Sequence, residues 1–557
     1  HKAIRRQRQM CIRDRYFTER QSAKDGMQVP DMMKEVGNMA LEMTKDTMTW
    51  KQRKGTHHSR ILLEGDMIVP DNRPDVAQVL HCSGTVRLDE VKSGEEKINL
   101  TGELLVRVLY RAAGGEKPVY AMTSSLPIQE VLYVEGMTAE DAVNVMAETE
   151  HLECQLINDR KVGLRAIVEA WAEAEGSKSL QTVSGAQGET VELLRKKVLT
   201  ERPVAEKKDR FTVKHTVSLG ADQPNIGEML HQVLTLSDTD IRAMDGKVAV
   251  RGNLRLTAIY GTEENGMPVA VEAEIPFHGF IEGGGITPQT WTDVKLTVNE
   301  SEVRPAVNDD GETRNLDVTA VIGAELKAVD HTEQEMVTDA YGLESCLQPK
   351  REKVTFPVCV GMTRSRFSLK EGVSLENGEM PMMQAVAAWG QVHTEDVTVE
   401  TDAVNVEGVL QAEILYLSAD DDKAVCVLQR GIPFRQTVEV RGAKAGDAAC
   451  VRSTAEQVDF RLMTETEGEL RAQILLEILV TAMEETEVVT DLLEMPEETP
   501  EKRPSAVICV VQDGESLWDI AKKYRTTPER ILMVNDIENP ERLFSGQKLL
   551  ILRGGRK

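Results

Sequence analysis

The sequence predicts an α+β protein, mostly antiparallel β, with three repeated β-rich domains followed by a small βααβ module. Two observations predict this fold class. Three segments fall into register at offsets near 150 residues, each with the two-residue alternation of a half-buried strand. The last stretch of about fifty residues instead shows the spacing of short helices between two strand-like runs.

The repeat rests on four landmarks that keep their spacing in all three copies. A glycine is followed eight residues later by a tyrosine, in the pairs Gly102–Tyr110, Gly252–Tyr260 and Gly408–Tyr416. One proline stands 27 or 28 residues before each glycine and another 24 or 25 residues after it: Pro74, Pro224 and Pro381, then Pro127, Pro276 and Pro433. Such spacing indicates one unit repeated near 61–178, 208–332 and 354–484.

Each unit is expected to contain a long central strand with one buried face. Every second residue after the glycine is apolar or aromatic in all copies: Leu104, Val106, Val108, Tyr110; Leu254, Leu256, Ala258, Tyr260; Leu410, Ala412, Ile414, Tyr416. The residues between them are mixed, as a strand with one solvent-facing side requires. A turn-rich stretch follows, and a second strand is expected to end near the later proline.

The earlier prolines predict one short helix in each unit. They open the segments 74–80, 224–230 and 381–387, where apolar residues recur every three to four positions and proline suits the first helical residue. On this interpretation Asp71 and Asp75 stabilise a helix dipole. Two further strand-like runs around a polar turn close each unit.

The C-terminal module follows an acidic, proline-containing linker expected at 485–505 and occupies 506–553. Ser516 with Asp519 three residues later is typical of a capping box, and Thr527 before Pro528 predicts the start of a second helix. Strand-like runs at 507–511 and 546–552 flank the two helices.

Composition narrows the classes of function. A net charge of −26 disfavours nucleic acid as a partner, because a polyanion would be repelled. No apolar run is long enough to span a bilayer. Eight cysteines without a CxxC pair are typical of reduced thiols in a cytosolic protein.

The first residues differ from the rest of the chain. Residues 1–20 carry seven basic side chains, begin with His1, and are interpreted as a sequence artefact or a basic disordered arm. Residues 21–60 are expected to form an N-terminal segment without the apolar core of a secretion signal.

The first unit resembles the SPOCS domain, which is associated with the spore coat. The resemblance rests on the run Met67 to Val76, on Gly102-Glu103 and on Leu109-Tyr110. It implies a scaffold or adaptor in coat assembly, located in the mother-cell cytoplasm at the forespore surface. The implied partner is the coat morphogenetic ATPase.

The C-terminal module resembles the LysM family through Asp513 to Leu517, Ile520-Ala521, Tyr524, Asn535 and Gly546-Gln547. LysM modules commonly bind N-acetylglucosamine polymers through two loops. The resemblance therefore implies a binding site at these loop residues: Gly514, Glu515, Ser516, Asn535, Asp536, Ile537 and Pro540.

Three functions are weighed. The leading hypothesis is the non-enzymatic scaffold, in which LysM serves mainly to dock a protein; the alternative is a peptidoglycan-binding protein of the cell wall or spore cortex. A hydrolase is disfavoured, because the repeats share no titratable residue and neither His81-Cys82 nor His151 with Cys154 has a catalytic framework. No catalytic residue, metal or cofactor is expected.

Overall fold

The computed structural model describes residues 42–114, 117–187, 190–420, 423–495 and 504–552. The predicted arm at 1–20 lies outside these residues. The strands of the first unit are β1 (Glu42–Ile68), β2 (Val76–Gly94), β3 (Lys97–Ala112), β4 (Val119–Tyr133), β5 (Ala142–Asn158) and β6 (Lys161–Gln187). Those of the second are β7 (Val191–Ser218), β8 (Ile226–Met244), β9 (Lys247–Thr262), β10 (Pro268–Glu282), β11 (Trp291–Val307) and β12 (Thr313–Gly342).

The third unit repeats the pattern, and the C-terminal module follows it. The third unit contains β13 (Cys346–Ser374), β14 (Met382–Glu400), β15 (Ala403–Ser418), β16 (Val425–Glu439), β17 (Ala448–Leu462) and β18 (Glu467–Met495). The module contains β19 (Ala506–Val510), α1 (Leu517–Tyr524), α2 (Pro528–Val534) and β20 (Lys548–Leu552). Among the described residues, none of the helices is long and apolar enough to cross a membrane.

Each unit is a β-sandwich of two antiparallel three-stranded sheets. In the first unit the sheet orders are β2-β3-β4 and β1-β6-β5, and the other two units repeat this topology. The central strands β3, β9 and β15 bury the predicted face completely, since none of its twelve apolar residues is more than 2% exposed. Mostly antiparallel β-structure is therefore confirmed, whereas the α part of the prediction is limited to the two short helices of the C-terminal module.

The landmark residues occupy equivalent places, as predicted. The hydroxyl groups of Tyr110 and Tyr260 donate to the carbonyls of Pro74 and Pro224 at 3.3 and 2.8 Å. In the third unit Tyr416 donates to the Met380 carbonyl at 3.1 Å. Each tyrosine thus links the central strand of its own unit to the loop before the second strand by a hydrogen bond.

The helices predicted at 74–80, 224–230 and 381–387 are wrong, because these segments begin the strands β2, β8 and β14. Each of these strands has three register shifts, and the first two lie three residues apart near its start, which in β2 means after Val76 and after Val79. A bulge adds one residue to a strand and so lengthens the interval between residues of one face. Two bulges in succession therefore imitate the apolar spacing of a helix.

The helix-dipole role expected for Asp71 and Asp75 is also wrong. The guanidinium of Arg160, just before β6, lies 3.0 Å from the Asp75 carboxylate and 3.6 Å from that of Asp71. It also donates to the backbone carbonyls of Val69 and Arg73 at 3.1 and 2.9 Å. The aspartates therefore help to close the loop between β1 and β2.

The three sandwiches meet in a shared apolar cluster. Leu109, Ile259 and Leu415 each precede the landmark tyrosine, point away from their own core and meet in one apolar cluster. Beyond the sandwiches, the paired strands β1/β6, β7/β12 and β13/β18 continue as three ribbons that pack together, and we name this part the stem. Its core holds Met48, Trp50, Val198, Phe356 and Val488, with Val183, Val337 and Leu492 in an adjoining cluster.

The stem corrects the predicted linker. Residues 485–495 form the last part of β18 and pair with β13, because Val488 and Val489 are fully buried in the stem despite their acidic neighbours. Residues 496–503, also assigned to the linker, lie outside the described residues. At the other end, β1 starts at Glu42, within the segment that the sequence analysis placed before the first unit.

A group of buried polar side chains lies where the sandwiches meet. The ring centres of His81 and His231 are 5.1 Å apart, and Trp389 lies 5.1 and 5.0 Å from them. Neither ring nitrogen of His231 has a hydrogen-bond partner. His81 Nδ1 lies against the Glu413 carboxylate without the alignment of a hydrogen bond.

Candidate binding site

The C-terminal module folds as its local sequence predicts. Ser516 caps α1: its hydroxyl accepts from the Asp519 amide at 3.1 Å, and its own amide donates to the Asp519 carboxylate at 3.0 Å. Thr527 caps α2 by accepting from the Arg530 amide at 3.2 Å. β19 and β20 pair antiparallel, which confirms the predicted βααβ order.

The first candidate loop, 514–516, is shaped by its own side chains. Gly514 has a φ of +79°, a left-handed conformation that favours glycine. The Glu515 carboxylate accepts from the backbone amide of Gln512 at 2.9 Å and from the Lys523 ammonium at 3.3 Å. The hydrogen bond from the Gln512 amide is the main cause of the lowered pKa of Glu515. Glu515 and Ser516 therefore hold the loop in place, and the loop is largely exposed.

The second candidate loop, 535–540, is tied to the strand β20 by Asn535. The Asn535 amide group donates to the carbonyls of Ile531 and Leu550, both at 2.8 Å, and its oxygen accepts from the Leu550 amide at 2.7 Å. Asp536 and Pro540 are exposed, whereas Ile537 packs partly against the module core. Because α1 and α2 are joined by only three residues, the start of α1 and the end of α2 lie at the same end of the helical pair.

Outside the two loops, the helix α1 binds the stem. The carboxylate of Asp339, on β12, accepts from the Trp518 indole at 2.8 Å and from the Lys522 ammonium at 2.8 Å on both oxygens. It also accepts from Arg351, on β13, at 2.5 Å. Burial alone would raise the pKa of Asp339, but the hydrogen bonds from Lys522, Trp518 and Arg351 outweigh it and leave that pKa lowered.

Tyr341 completes this interface, which we call the stem–module interface. Its hydroxyl donates to the Thr526 carbonyl at 2.6 Å, and its ring meets the Trp518 ring edge-on with centres 4.9 Å apart. Tyr341 is 3% exposed and belongs to the same apolar cluster as Leu517 and Ile520. The module is thus packed on the end of the second ribbon. The sequence analysis did not predict Asp339, Tyr341 and Lys522 as interface residues. The one local sign in the sequence is Trp518, whose indole lies on the polar side of α1.

The outer face of the module's sheet is a second exposed surface. Four apolar side chains project from β19 and β20 on the side away from the helices, and their exposed fractions are 67% for Ile508, 52% for Val510, 38% for Leu550 and 41% for Leu552. Ile508 lies directly opposite Leu550 across the strand pair. We name these four residues the apolar sheet face. An exposed apolar patch of this kind marks sites of protein association.

The two histidines weighed for catalysis lie apart, whereas Cys82 and Cys154 lie near each other on β2 and β5. His81 is buried at the junction of the sandwiches, whereas His151 is exposed on β5. His58 stacks on Trp171 with ring centres 5.5 Å apart and contacts the Glu169 carboxylate. Within the described part of the chain, the His, Cys, Asp and Glu side chains form no group of three or more that could hold a metal ion.

Comparison with known families agrees with this architecture. The family model described as the SipL, SPOCS domain matches residues 75–157, 225–305 and 381–463. Each match runs from the second strand of a unit to its fifth. The model of the LysM domain matches residues 509–552, which is the C-terminal module. No curated protein and no solved structure shows significant similarity to the chain.

Proposed function

We propose that this chain, which carries three SPOCS domains and a C-terminal LysM domain, is a non-enzymatic scaffold of spore-coat assembly. SPOCS domains indicate a role in sporulation, and LysM domains are associated with peptidoglycan binding. The proposal places the chain in the mother-cell cytoplasm at the forespore surface, bound to the coat morphogenetic ATPase.

The observation that carries the proposal is the stem–module interface. Asp339 and Tyr341 hold the LysM domain through Trp518, Lys522 and Thr526, so the module has a defined orientation relative to the three sandwiches. The sandwiches are themselves joined by ion pairs between units, including Arg73 with Glu228 at 2.6 Å and Lys327 with Glu175 at 3.0 Å. A body that presents several surfaces in fixed positions suits a scaffold.

The apolar sheet face is the surface that we assign to the ATPase. Its cross-strand pair Ile508 and Leu550 supplies apolar area without a charged residue at its centre, as protein interfaces require. The loops 514–516 and 535–540 offer mostly backbone groups, because the side chains of Glu515, Ser516 and Asn535 are engaged within the module. This distribution favours protein docking over glycan binding.

Binding of an N-acetylglucosamine polymer is the second candidate function. It is favoured by the LysM match and by the exposure of Gly514, Asp536 and Pro540, which leaves both loops accessible. A glycan held through backbone groups would use these loops and leave the apolar sheet face free. The two functions therefore predict different sensitive residues.

The experiment compares two variants of the full chain. Ile508→Lys with Leu550→Lys charges the apolar sheet face, and Gly514→Val with Asp536→Ala alters the two loops. We expect the first variant to lose capture of the purified coat ATPase by about tenfold or more, since two buried charges oppose docking. The second variant is expected to retain ATPase capture. Binding of chito-oligosaccharides is measured on both by calorimetry.

A matched control is Leu62→Lys, which charges a side chain of 53% exposure on β1 of the first unit. It should leave ATPase capture unchanged. Micromolar sugar affinity that depends on the loops, together with undiminished capture by the sheet-face variant and by a chain lacking 505–557, would overturn the proposal. Imaging of a tagged chain in sporulating cells tests the location.

A further inference from the structure

Two cysteines from distant parts of the first unit meet at the open side of its sandwich. The strands β2 and β5 are edge strands of different sheets, and they run side by side there. The Thr149 hydroxyl of β5 donates to the Gly84 carbonyl of β2 at 3.1 Å. Next to this bond, the Cys82 thiol on β2 donates to the Leu152 carbonyl at 3.7 Å, and Cys154, two residues further along β5, lies beside it.

Both sulfur atoms are in a position to react. Cys82 and Cys154 are each partly exposed and carry free thiols. They pack against the rim of the core, where β2 is paired with β3 and β5 is paired with β6. Bridging them would join the two sheets of the sandwich at a place where a side-chain hydrogen bond now joins them.

The pair is specific to the first unit. Cys82 lies opposite Val108, which is two residues before the landmark tyrosine. The residues equivalent to Cys82 are Gln232 in the second unit and Ala388 in the third. Cys154 lies opposite Leu164, and its counterparts opposite Val318 and Leu470 are Val303 and Phe460. The repeated fold therefore does not need thiols at this seam.

We propose that Cys82 and Cys154 form a reversible disulfide that joins the two sheets of the first SPOCS domain under oxidising conditions. The oxidant is a low-molecular-weight disulfide, and the product is a covalent bridge between β2 and β5. This site is independent of the scaffold function proposed above and does not involve the LysM domain.

The two thiols have different roles in the reaction. The neighbouring Cys154 thiol lowers the pKa of Cys82, whereas the neighbouring Cys82 thiol, together with burial, raises the pKa of Cys154. Cys82 is therefore the attacking thiolate. It attacks one sulfur of the small disulfide, breaks that S–S bond and releases one small thiolate.

Cys154 completes the exchange. It loses its proton to solvent, its thiolate attacks the Cys82 sulfur, and the second small thiolate leaves. In total two protein thiols are oxidised by two electrons, and one small disulfide is reduced to two thiols that carry the two protons. The reverse reaction with a small thiol restores the two free thiols.

The test uses the full chain incubated with oxidised glutathione at pH 8, followed by alkylation of the remaining thiols and peptide mapping by mass spectrometry. We expect a peptide pair linked through Cys82 and Cys154 and the loss of two of the eight thiols. Hydrogen exchange in β2 and β5 should slow at least severalfold after oxidation, because the bridge suppresses local separation of the two strands. Dithiothreitol should reverse both changes.

Each variant carries the residue that another unit has at the equivalent position, so that folding is preserved. Cys82→Ala follows Ala388 and Cys154→Val follows Val303, and each variant should lose the linked peptide and the slowed exchange. Cys426→Ser, on β16 of the third unit, should retain both. A folded wild-type chain that forms no Cys82–Cys154 peptide, or equal slowing of exchange in Cys154→Val, would overturn the proposal.

Discussion

Asp339 and Lys522 are joined by two hydrogen bonds of 2.8 Å, so that a single carboxylate of the second unit holds the ammonium group of the LysM helix. The same carboxylate accepts from Trp518 and Arg351. Because its side chain is only 10% exposed, solvent does little to replace these partners. The position of the LysM domain therefore depends strongly on one residue.

Replacing Asp339 with alanine is expected to release the LysM domain from the stem. The change leaves Lys522 without its counter-charge in a partly buried place and leaves Arg351 with Glu487 at 3.8 Å, which costs about 2 to 4 kcal/mol of docking free energy. Hydrogen exchange should rise in α1 and at the end of β12, while the core of the LysM domain stays protected. The emission of Trp518 should shift to longer wavelength.

The control for this variant lies on the same strand. Glu333 pairs with Lys197 at 3.3 Å, and both side chains are 66% exposed. Glu333→Ala should cost less than about 0.5 kcal/mol, because exposed ion pairs contribute little. Equal exchange in α1 of both variants would contradict the role assigned to Asp339.

Buried His231 is expected to make stability depend on pH. Burial, and then the charges of His81 and Arg107, lower its pKa to about 3. Above the ordinary histidine pKa of 6.5 there is no effect. As pH falls below that value the unfolded chain takes up a proton that the folded chain refuses until about pH 3, so stability is lost by about 1.4 kcal/mol per pH unit.

The measurement is urea unfolding between pH 7.5 and pH 4 for the wild type and for His231→Gln. The free energy of unfolding of the variant should fall less steeply with decreasing pH than that of the wild type, because glutamine does not titrate. The difference corresponds to the contribution of one titrating group. His151→Gln, at an exposed position of β5, serves as the control and should follow the wild type. Identical pH profiles for wild type and His231→Gln would contradict the lowered pKa of His231, because they would show that folding leaves its pKa unchanged.

The landmark glycines are expected to resist substitution for a steric reason. A Cβ on Gly102 would lie 2.3 Å from the Arg87 carbonyl oxygen, and one on Gly408 would lie 2.5 Å from that of His393. Gly102→Ala should therefore destabilise the first unit by about 1 to 3 kcal/mol, because backbone would have to move. Gly185→Ala is the control, since its Cβ would meet only Thr44 at 3.6 Å. Comparing the free energies of unfolding of the two variants checks the prediction.

The tyrosine hydroxyl groups are expected to contribute modestly and separately in each unit. Tyr260→Phe removes the 2.8 Å bond to Pro224 and leaves that carbonyl without this donor, which should cost about 1 kcal/mol. Tyr110→Phe, where the bond is 3.3 Å, should cost less. The midpoints of urea unfolding give the comparison, and a larger loss in the first unit would contradict it.

The central strands could be predicted from sequence because their buried residues alternate without interruption from Gly102 to Tyr110 and in both other copies. The LysM caps could be predicted because Ser516 and Asp519 are only three residues apart. The strand β2 was mistaken for a helix because two bulges alter its period, and an apolar pattern alone does not distinguish the two cases.

The stem and its interface could not be predicted for a different reason. The segment from Glu484 to Met495 contains many carboxylates, and only the burial of Val488 and Val489 by other ribbons shows that it is a strand of the stem. Asp339 and Lys522 are 183 residues apart, so no local pattern connects them. Contacts of this kind depend on how whole units pack.

The meeting of Leu109, Ile259 and Leu415 in one apolar cluster has a consequence for how the molecule behaves on dilution. Three separate polypeptides that met through the same residues would dissociate as their concentration fell, whereas three units in one chain remain neighbours at any concentration. One LysM domain therefore always accompanies three SPOCS domains, and this ratio holds even when only a few molecules are present in a cell.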